Sequence, residues 1–135
     1  KMAQTGDLIL PGTALLAPGD QHMKVSRDLS GLHVKCSSGE KYNGHRPSVD
    51  LLFKSVATAS KKRAMGILLS GMGADGAVGL LEMREAGAQN LAQDESTSVV
   101  YGMPKAAADI KAVHEILPIQ EIPLRITQFY LQERD

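Results

Sequence analysis

The sequence predicts an α/β fold, with three layers built around a mostly parallel, doubly wound sheet and an antiparallel β-hairpin near the N-terminus. Two observations predict it. From residue 48 onward, segments with helical apolar spacing alternate with short apolar segments, as in parallel sheets whose strands are joined by helices. Before residue 48, short strand-like segments are separated by glycine-containing turns, which indicate antiparallel pairing.

The first third of the chain is predicted to form short strands. Segments 7–10 and 13–17 each end at a Pro-Gly pair, which is a turn signal. Segments 22–26 and 32–36 alternate partly in polarity and flank residues 28–31. We therefore expect a hairpin with its turn at 28–31.

Four helices and three strands are predicted in the rest of the chain. Ser48 is expected to cap the first helix, whose apolar residues repeat at helical spacing and whose end carries the basic run 61–63. The strands are expected at 64–69, 89–93 and 113–117, and the further helices at 76–85, 104–111 and from 122 to about 130.

Composition narrows the possible functions. The 135 residues suffice for one domain, and 15 basic residues balance 15 acidic ones, so no nucleic-acid partner is expected. No apolar run approaches the roughly 18 residues of a membrane span, so no membrane insertion is expected. One cysteine, Cys36, fits a reducing compartment, and we expect a cytoplasmic protein. The sequence shows no zinc-like spacing of ligands, and neither a metal nor a cofactor is expected.

The stretch 70-SGMGADGAVG-79 raises the main functional question, which is the role of Asp75 among its glycines. Asp75 could cap the helix that begins at Gly76, because aspartate is a favourable N-cap residue. A cap alone does not explain glycine at 71, 73 and 76. The carboxyl ends of strands in open α/β sheets are where ligands and catalytic groups collect, so a functional role is also open.

A dinucleotide site is one alternative. Gly71-x-Gly73-x-x-Gly76 matches the glycine pattern of such sites, and Asp94 follows Gly76 by 18 residues, near the expected place of a ribose-binding acid. The polar character of 89–93 and the sixty residues before this unit weigh against that alternative.

A catalytic triad is the other alternative, and it needs a serine and a histidine. No G-x-S-x-G elbow is present. His33 and His114 lie in strand-like apolar surroundings and are interpreted as structural. From the residues alone, Asp75 is a credible triad acid without a credible nucleophile.

Taken together, several stretches resemble the catalytic domain of the CheB-type chemotaxis receptor protein-glutamate methylesterases. They occur in the family's order and at about its spacing, and only the last helix carries little of the signature. The matching stretches are 10-LPGTALLAPGDQHM-23, 45-HRPSVDLLFKSVA-57, 70-SGMGADGAVGLLEMREAG-87 and 99-VVYGMP-104.

The resemblance implies hydrolysis of glutamate methyl esters, and in many members glutamine deamidation, on the cytoplasmic helices of bacterial chemoreceptors. The implied catalytic groups are a Ser-His-Asp triad, whose aspartate corresponds to Asp75. The backbone N–H of Met72 is the implied oxyanion donor. Gly71, Gly73, His45 and Arg46 are expected at the substrate cleft; for Ser48, helix capping is the better interpretation.

The family's serine and histidine motifs have no counterpart here. Residues 1–135 are therefore interpreted as the C-terminal part of the catalytic domain, without its N-terminal part and without the receiver domain. Gln21-His22-Met23 imitates the histidine motif but belongs to a later segment, so His22 is interpreted as a hairpin residue near the cleft. The chain alone is predicted to be inactive. Expected partners are methylated receptor helices and a chain that supplies the missing serine and histidine; a silent receptor-binding or structural module is the alternative.

Overall fold

A computed structural model describes residues 1–134 of the chain and confirms the predicted α/β class. Strands and helices follow in the order β1 (His22–Asp28), β2 (Gly31–Ser37), α1 (Val49–Ser60), β3 (Met65–Leu68), α2 (Ala77–Glu85), β4 (Gln89–Gln93), α3 (Met103–Asp109), β5 (Glu115–Leu117) and α4 (Ile122–Arg134). Single 3-10 turns follow α1 at Lys61–Arg63 and precede α4 at Ile119–Glu121. No helix in the described range is both long and apolar enough to cross a membrane.

The strands form two separate sheets. Strands β3, β4 and β5 are parallel and hydrogen-bonded in that order, with Ile67 opposite Leu91. Strands β1 and β2 form the predicted antiparallel hairpin, in which Asp28 faces Gly31 across the turn. Gly31 has a φ of 115°, a backbone conformation that glycine adopts without steric cost.

The two strands predicted before the hairpin are wrong. Segments 7–10 and 13–17 form the isolated bridges Leu8–His33 and Leu16–Met2, with a few backbone hydrogen bonds around them, and no continuous ladder. The Pro11-Gly12 turn begins directly after the first segment, so neither segment continues far enough beside a partner to build a ladder.

The main core lies where helices α1, α2 and α3 meet the parallel sheet. Ser48 caps α1 as predicted, since its Oγ accepts from the Leu51 N–H at 3.4 Å. Gly87, with a φ of 103°, follows the end of α2 and turns the chain into β4. The buried residues of this core are Ala57, Leu68, Ala77, Leu80, Met83, Ala88, Ala107 and Ala112.

Helices α1 and α2 touch at Gly79. A Cβ atom there would lie 2.8 Å from the Asp50 carbonyl oxygen and 2.9 Å from Phe53 Cβ. Both atoms belong to the packed part of α1, so a methyl group can be accommodated only by moving one helix.

We therefore expect Gly79→Ala to destabilise the chain by about 1–3 kcal/mol through overpacking. The measurement is the midpoint of urea unfolding. Gly19→Ala is the matched control, because nothing lies within 4 Å of a Cβ built at Gly19. Equal midpoints for both variants would show that the two helices can separate freely at this point.

Strand β4 is the central strand of the parallel sheet although its sequence is polar. Asn90 is fully buried, with 0% of its surface exposed. Its Nδ2 donates to the carbonyl oxygens of Leu80 (2.8 Å) and Ala112 (2.9 Å), and its Oδ1 accepts from the Gly66 N–H (3.2 Å). The polarity of 89–93 was therefore no argument against a buried central strand, because the buried amide of Asn90 is fully hydrogen-bonded.

His114 joins β4 to the chain before β5, since its Nδ1 accepts from the Asn90 N–H at 3.0 Å. Desolvation, and then the nearby charge of Arg84, lower the pKa of His114 below its usual value of 6.5. The unfolded chain consequently binds more protons than the folded chain as pH falls through that value.

Acidification from pH 7 to pH 5.5 is therefore expected to lower the Tm of the wild-type chain more than that of His114→Gln. Thermal unfolding at the two pH values measures the difference, and His45→Gln, at an exposed histidine, is the control. An equal decrease in Tm on acidification in all three proteins would contradict the lowered pKa of His114.

Large apolar side chains remain exposed at several places. They include Met2, Leu10 and Leu16 in the N-terminal segment and Leu124 in α4. Exposed apolar surface favours association. We therefore expect the isolated chain to dimerise or to be poorly soluble, and sedimentation velocity can measure its association.

Candidate active site around Asp75

Asp75 lies in the loop between β3 and α2, at the carboxyl edge of the parallel sheet, and is half-buried. Its carboxylate accepts three hydrogen bonds from the start of α1. The donors are the Ser48 hydroxyl (3.0 Å), the Val49 N–H (2.7 Å) and the Asp50 N–H (3.1 Å). Asp75 therefore binds the N-terminus of α1, where unpaired N–H groups and the helix dipole favour a negative charge.

The interpretation that Asp75 caps its own helix is wrong. The N-cap of α2 is Gly76, which has a φ of 103° and makes no side-chain capping bond. The N–H groups of Gly76 and Gly79 instead donate to Asp50 Oδ1, at 3.1 and 2.8 Å. Asp75 and Asp50 thus cap each other's helices.

The capping of α2 by Asp50 argues against a dinucleotide site at this loop. A dinucleotide's phosphate would bind the N–H groups at the start of α2, and Asp50 already occupies them. Asp94 is engaged locally, since the Thr97 hydroxyl and N–H donate to its Oδ1 at 2.6 and 3.0 Å. These bonds, the hydroxyl first, lower the pKa of Asp94.

A serine lies beside Asp75 and a histidine lies beside that serine, but the three are connected in the wrong order for a triad. Ser48 lies between the other two: its hydroxyl donates to Asp75, and its N–H donates to His22 Nδ1 at 3.2 Å. The other nitrogen of His22, Nε2, lies 2.8 Å from the Glu40 carbonyl oxygen. In a triad the histidine must bridge serine and aspartate. Ser48 and His22 are also buried, so the structural interpretation of both fits their contacts.

The remaining histidines lie apart from these contacts. His33 Nδ1 lies 3.6 Å from Asp28 Oδ2 in the hairpin, and His114 contacts β4. His45 is exposed, and its backbone exchanges hydrogen bonds with Tyr42. Within residues 1–134 no group of three or more His, Cys, Asp or Glu side chains could hold a metal ion.

The glycines before Asp75 shape the loop. Gly71 is fixed, because its N–H donates to the Val100 carbonyl (3.0 Å) and its own carbonyl accepts from Met103 N–H (2.9 Å). A Cβ at Gly71 would lie 2.7 Å from Met103 Sδ. Gly73 has a φ of 91° and faces open space.

Met72 is exposed in this loop, with 82% of its surface accessible. Its N–H finds no acceptor within residues 1–134. This N–H lies three residues before Asp75 in the chain, and its role as an oxyanion donor stays a prediction.

Arg46 lies beyond the start of α1 and has local partners. Its Nε and Nη2 donate to Asp20 Oδ1 (2.9 and 2.8 Å), and its Nη1 donates to the Gly39 carbonyl (3.0 Å). These bonds tie the 37–46 loop to the segment before the hairpin. A cleft role for Arg46 and for His45 stays a prediction.

The fold and site define a class: an α/β protein with a parallel three-stranded sheet and a fixed carboxylate at the carboxyl edge of that sheet. The family model for the CheB methylesterase matches residues 1–126. The chain belongs to the CheB methylesterase family, as its sequence motifs predicted.

Relatives and a solved structure agree with this membership. Proteins named protein-glutamate methylesterase/protein-glutamine glutaminase are 48% identical over 96% of the chain in Thiobacillus denitrificans and 51% identical over 99% in Sulfurimonas denitrificans. The crystal structure of the Thermotoga maritima CheB methylesterase catalytic domain matches 95% of the chain with a TM-score of 0.91 at 30% identity. The chain spans 36–38% of those two relatives and 68% of that solved chain.

Sequence reasoning missed Asp50. An acidic residue in the first turn of a helix is expected to interact with its own helix dipole, and nothing in the sequence says that it bonds to a second helix. The helical spacing of 49–60 and the glycine at 79 were both visible. Only the packing of α1 against α2 brings Asp50 within hydrogen-bonding distance of the Gly79 N–H.

Proposed function

We propose that this chain is the part of a protein-glutamate methylesterase that supplies the triad aspartate, Asp75, and that the enzyme hydrolyses glutamate methyl esters on bacterial chemoreceptors. Glutamine deamidation is a second reaction of the same site. Family membership supports the reaction class. The observation that carries the role of Asp75 is its carboxylate, which three donors hold at the carboxyl edge of the sheet.

The serine and histidine come, in this proposal, from a segment outside these residues. The contacts of Ser48 support this, because its hydroxyl hydrogen is given to Asp75 and its backbone is buried against His22. The chain alone is accordingly inactive, with at most binding and an oxyanion donor left.

Each proton has a defined route in the proposed reaction. The serine oxygen attacks the ester carbonyl carbon while the histidine takes the serine proton, and Asp75 stabilises the imidazolium that forms. The Met72 N–H donates to the oxyanion of the tetrahedral intermediate. The histidine then protonates the leaving methoxide to give methanol, or the leaving amine to give ammonia. Water hydrolyses the acyl-enzyme by the same route and restores the serine.

The proposed partner is the helical cytoplasmic part of a methylated chemoreceptor, and the proposed location is the cytoplasm. The open space beside Gly73 and the exposed Met72 would let a glutamate side chain on a receptor helix reach the loop. Gly73 keeps a side chain out of this approach, and Gly71 lets the loop pack against Met103.

Methanol release from methylated receptor tests the proposal. The chain is assayed alone and mixed with the serine- and histidine-bearing segment of a full-length relative. We expect methanol only from the mixture, and a sharp reduction in its release when Asp75→Asn replaces the chain. Methanol from the chain alone would reveal a nucleophile within it. No methanol from a mixture whose two parts demonstrably associate would favour a silent receptor-binding module.

A further inference from the structure

Asp50 is the buried charged group that the proposed mechanism does not use. Only 4% of its surface is exposed. The neighbouring cation on the same helix, Lys54, pairs with Tyr42 Oη (2.7 Å) and Glu82 (3.7 Å) instead. No ion pair within residues 1–134 involves Asp50. A buried carboxylate without a cation needs other compensation, and here it comes from the N–H groups of α2.

The bonds of Asp50 and Asp75 form one closed connection between two helix starts. Asp75 accepts three hydrogen bonds from 48–50, and Asp50 accepts two from 76–79. Gly76 follows Asp75 directly, so the bond from the Gly76 N–H to Asp50 fixes the peptide that carries the Asp75 side chain. Each carboxylate thereby determines where the other one lies.

Packing leaves this connection little freedom. A Cβ at Gly76 would lie 3.0 Å from Val49 Cγ1 and 3.0 Å from Leu68 Cδ2, and Gly79 lies directly against the Asp50 backbone. Because Gly76 and Gly79 have no side chains, the starts of α1 and α2 come close enough for each carboxylate to accept hydrogen bonds from the other helix. Loss of the Asp50 carboxylate would leave the Gly76 and Gly79 N–H groups without this acceptor. The loop between β3 and α2 would then no longer be held at its α2 end.

We infer that Asp50 is a positioning residue for the esterase reaction: by binding the Gly76 and Gly79 N–H groups it holds the Asp75 carboxylate, and the Met72 loop before it, in the geometry that the histidine and the oxyanion require. This inference rests on the proposed role of Asp75. Displacement of a catalytic group by about 1 Å can cost a hundredfold in rate.

The test uses a complete catalytic domain, in which the serine- and histidine-bearing segment of a full-length relative precedes residue 1. In Asp50→Ala we expect kcat for methanol release to fall between about 10- and 100-fold, with a smaller change in KM. In Asp50→Asn an amide oxygen can still accept both N–H bonds, so a smaller loss is expected. Asp109→Asn, at an exposed ion pair of α3, is the matched control.

A pH profile separates positioning from a general loss of folded protein. A displaced Asp75 stabilises the imidazolium less, so the acid limb of kcat/KM moves to lower pH in Asp50→Ala. A variant that is merely less folded keeps the wild-type limb. If Asp50→Ala fails to fold, Asp50→Asn provides the test. A partial loss of kcat together with an acid limb of kcat/KM at lower pH would then support the positioning role.

Two results would overturn the inference in different ways. Wild-type kcat and pH limb in the folded Asp50 variants, together with an inactive Asp75→Asn, would refute the role of Asp50 alone. Full activity of Asp75→Asn would refute the proposed function on which that role depends.

Discussion

Asp75→Asn in the complete catalytic domain is expected to lower kcat for methanol release by about 10³- to 10⁴-fold. The amide cannot stabilise the imidazolium by charge and presents an N–H₂ group on one side. Two of the three donors to Asp75 are backbone N–H groups. In asparagine only the amide oxygen can accept, because the NH₂ group is a donor. At least one of the three donors therefore loses its acceptor, and we expect the side chain to turn away from its wild-type position.

The matched control is Asp109→Asn, which removes an exposed carboxylate from α3 and is expected to leave kcat unchanged. Circular dichroism and the unfolding midpoint verify that Asp75→Asn is folded under assay conditions. A folded Asp75→Asn variant with more than a tenth of wild-type kcat would exclude Asp75 as the triad acid.

Asn90→Ala is expected to lower the free energy of unfolding by about 3–5 kcal/mol, because three buried backbone groups lose their partner. These groups are the Gly66 N–H and the carbonyls of Leu80 and Ala112. A cavity at a fully buried position adds to the loss. Urea unfolding of the chain measures it.

Gln89→Ala is the control for this variant, since Gln89 precedes Asn90 on β4 and is exposed. A loss below about 0.5 kcal/mol is expected there, as for most surface substitutions. If Asn90→Ala were no more destabilising than Gln89→Ala, the amide would not hold β3, α2 and the segment before β5 together.

Much of the fold follows from patterns that the sequence displays. The helical spacing of 49–60, the apolar strand 65–68 and the turn at 28–31 predicted α1, β3 and the hairpin, because each pattern reflects burial on one face. Segments 7–10 and 13–17 have strand-like composition, yet formation of a ladder depends on a partner strand that composition does not reveal.

Long-range polar contacts explain what the sequence could not predict. Strand β4 has a polar sequence and is nevertheless buried. Its Asn90 amide donates to the carbonyl oxygens of Leu80 and Ala112, which lie 10 and 22 residues away along the chain. Asp75 was predicted as a functional acid from its glycines and its place after a strand. Its partners at 48–50 lie 25–27 residues away, so only the folded chain could show that it binds α1 rather than its own helix.

The central claim is that Asp75 faces a histidine supplied from outside these residues, and NMR titration of that histidine in the complete catalytic domain tests it most directly. The histidine imidazole is followed against pH in the wild type, Asp75→Asn and Asp109→Asn. We predict that its pKa falls in Asp75→Asn, because the imidazolium loses its carboxylate partner, and stays at the wild-type value in Asp109→Asn. An unchanged pKa in a folded Asp75→Asn variant would contradict the claim.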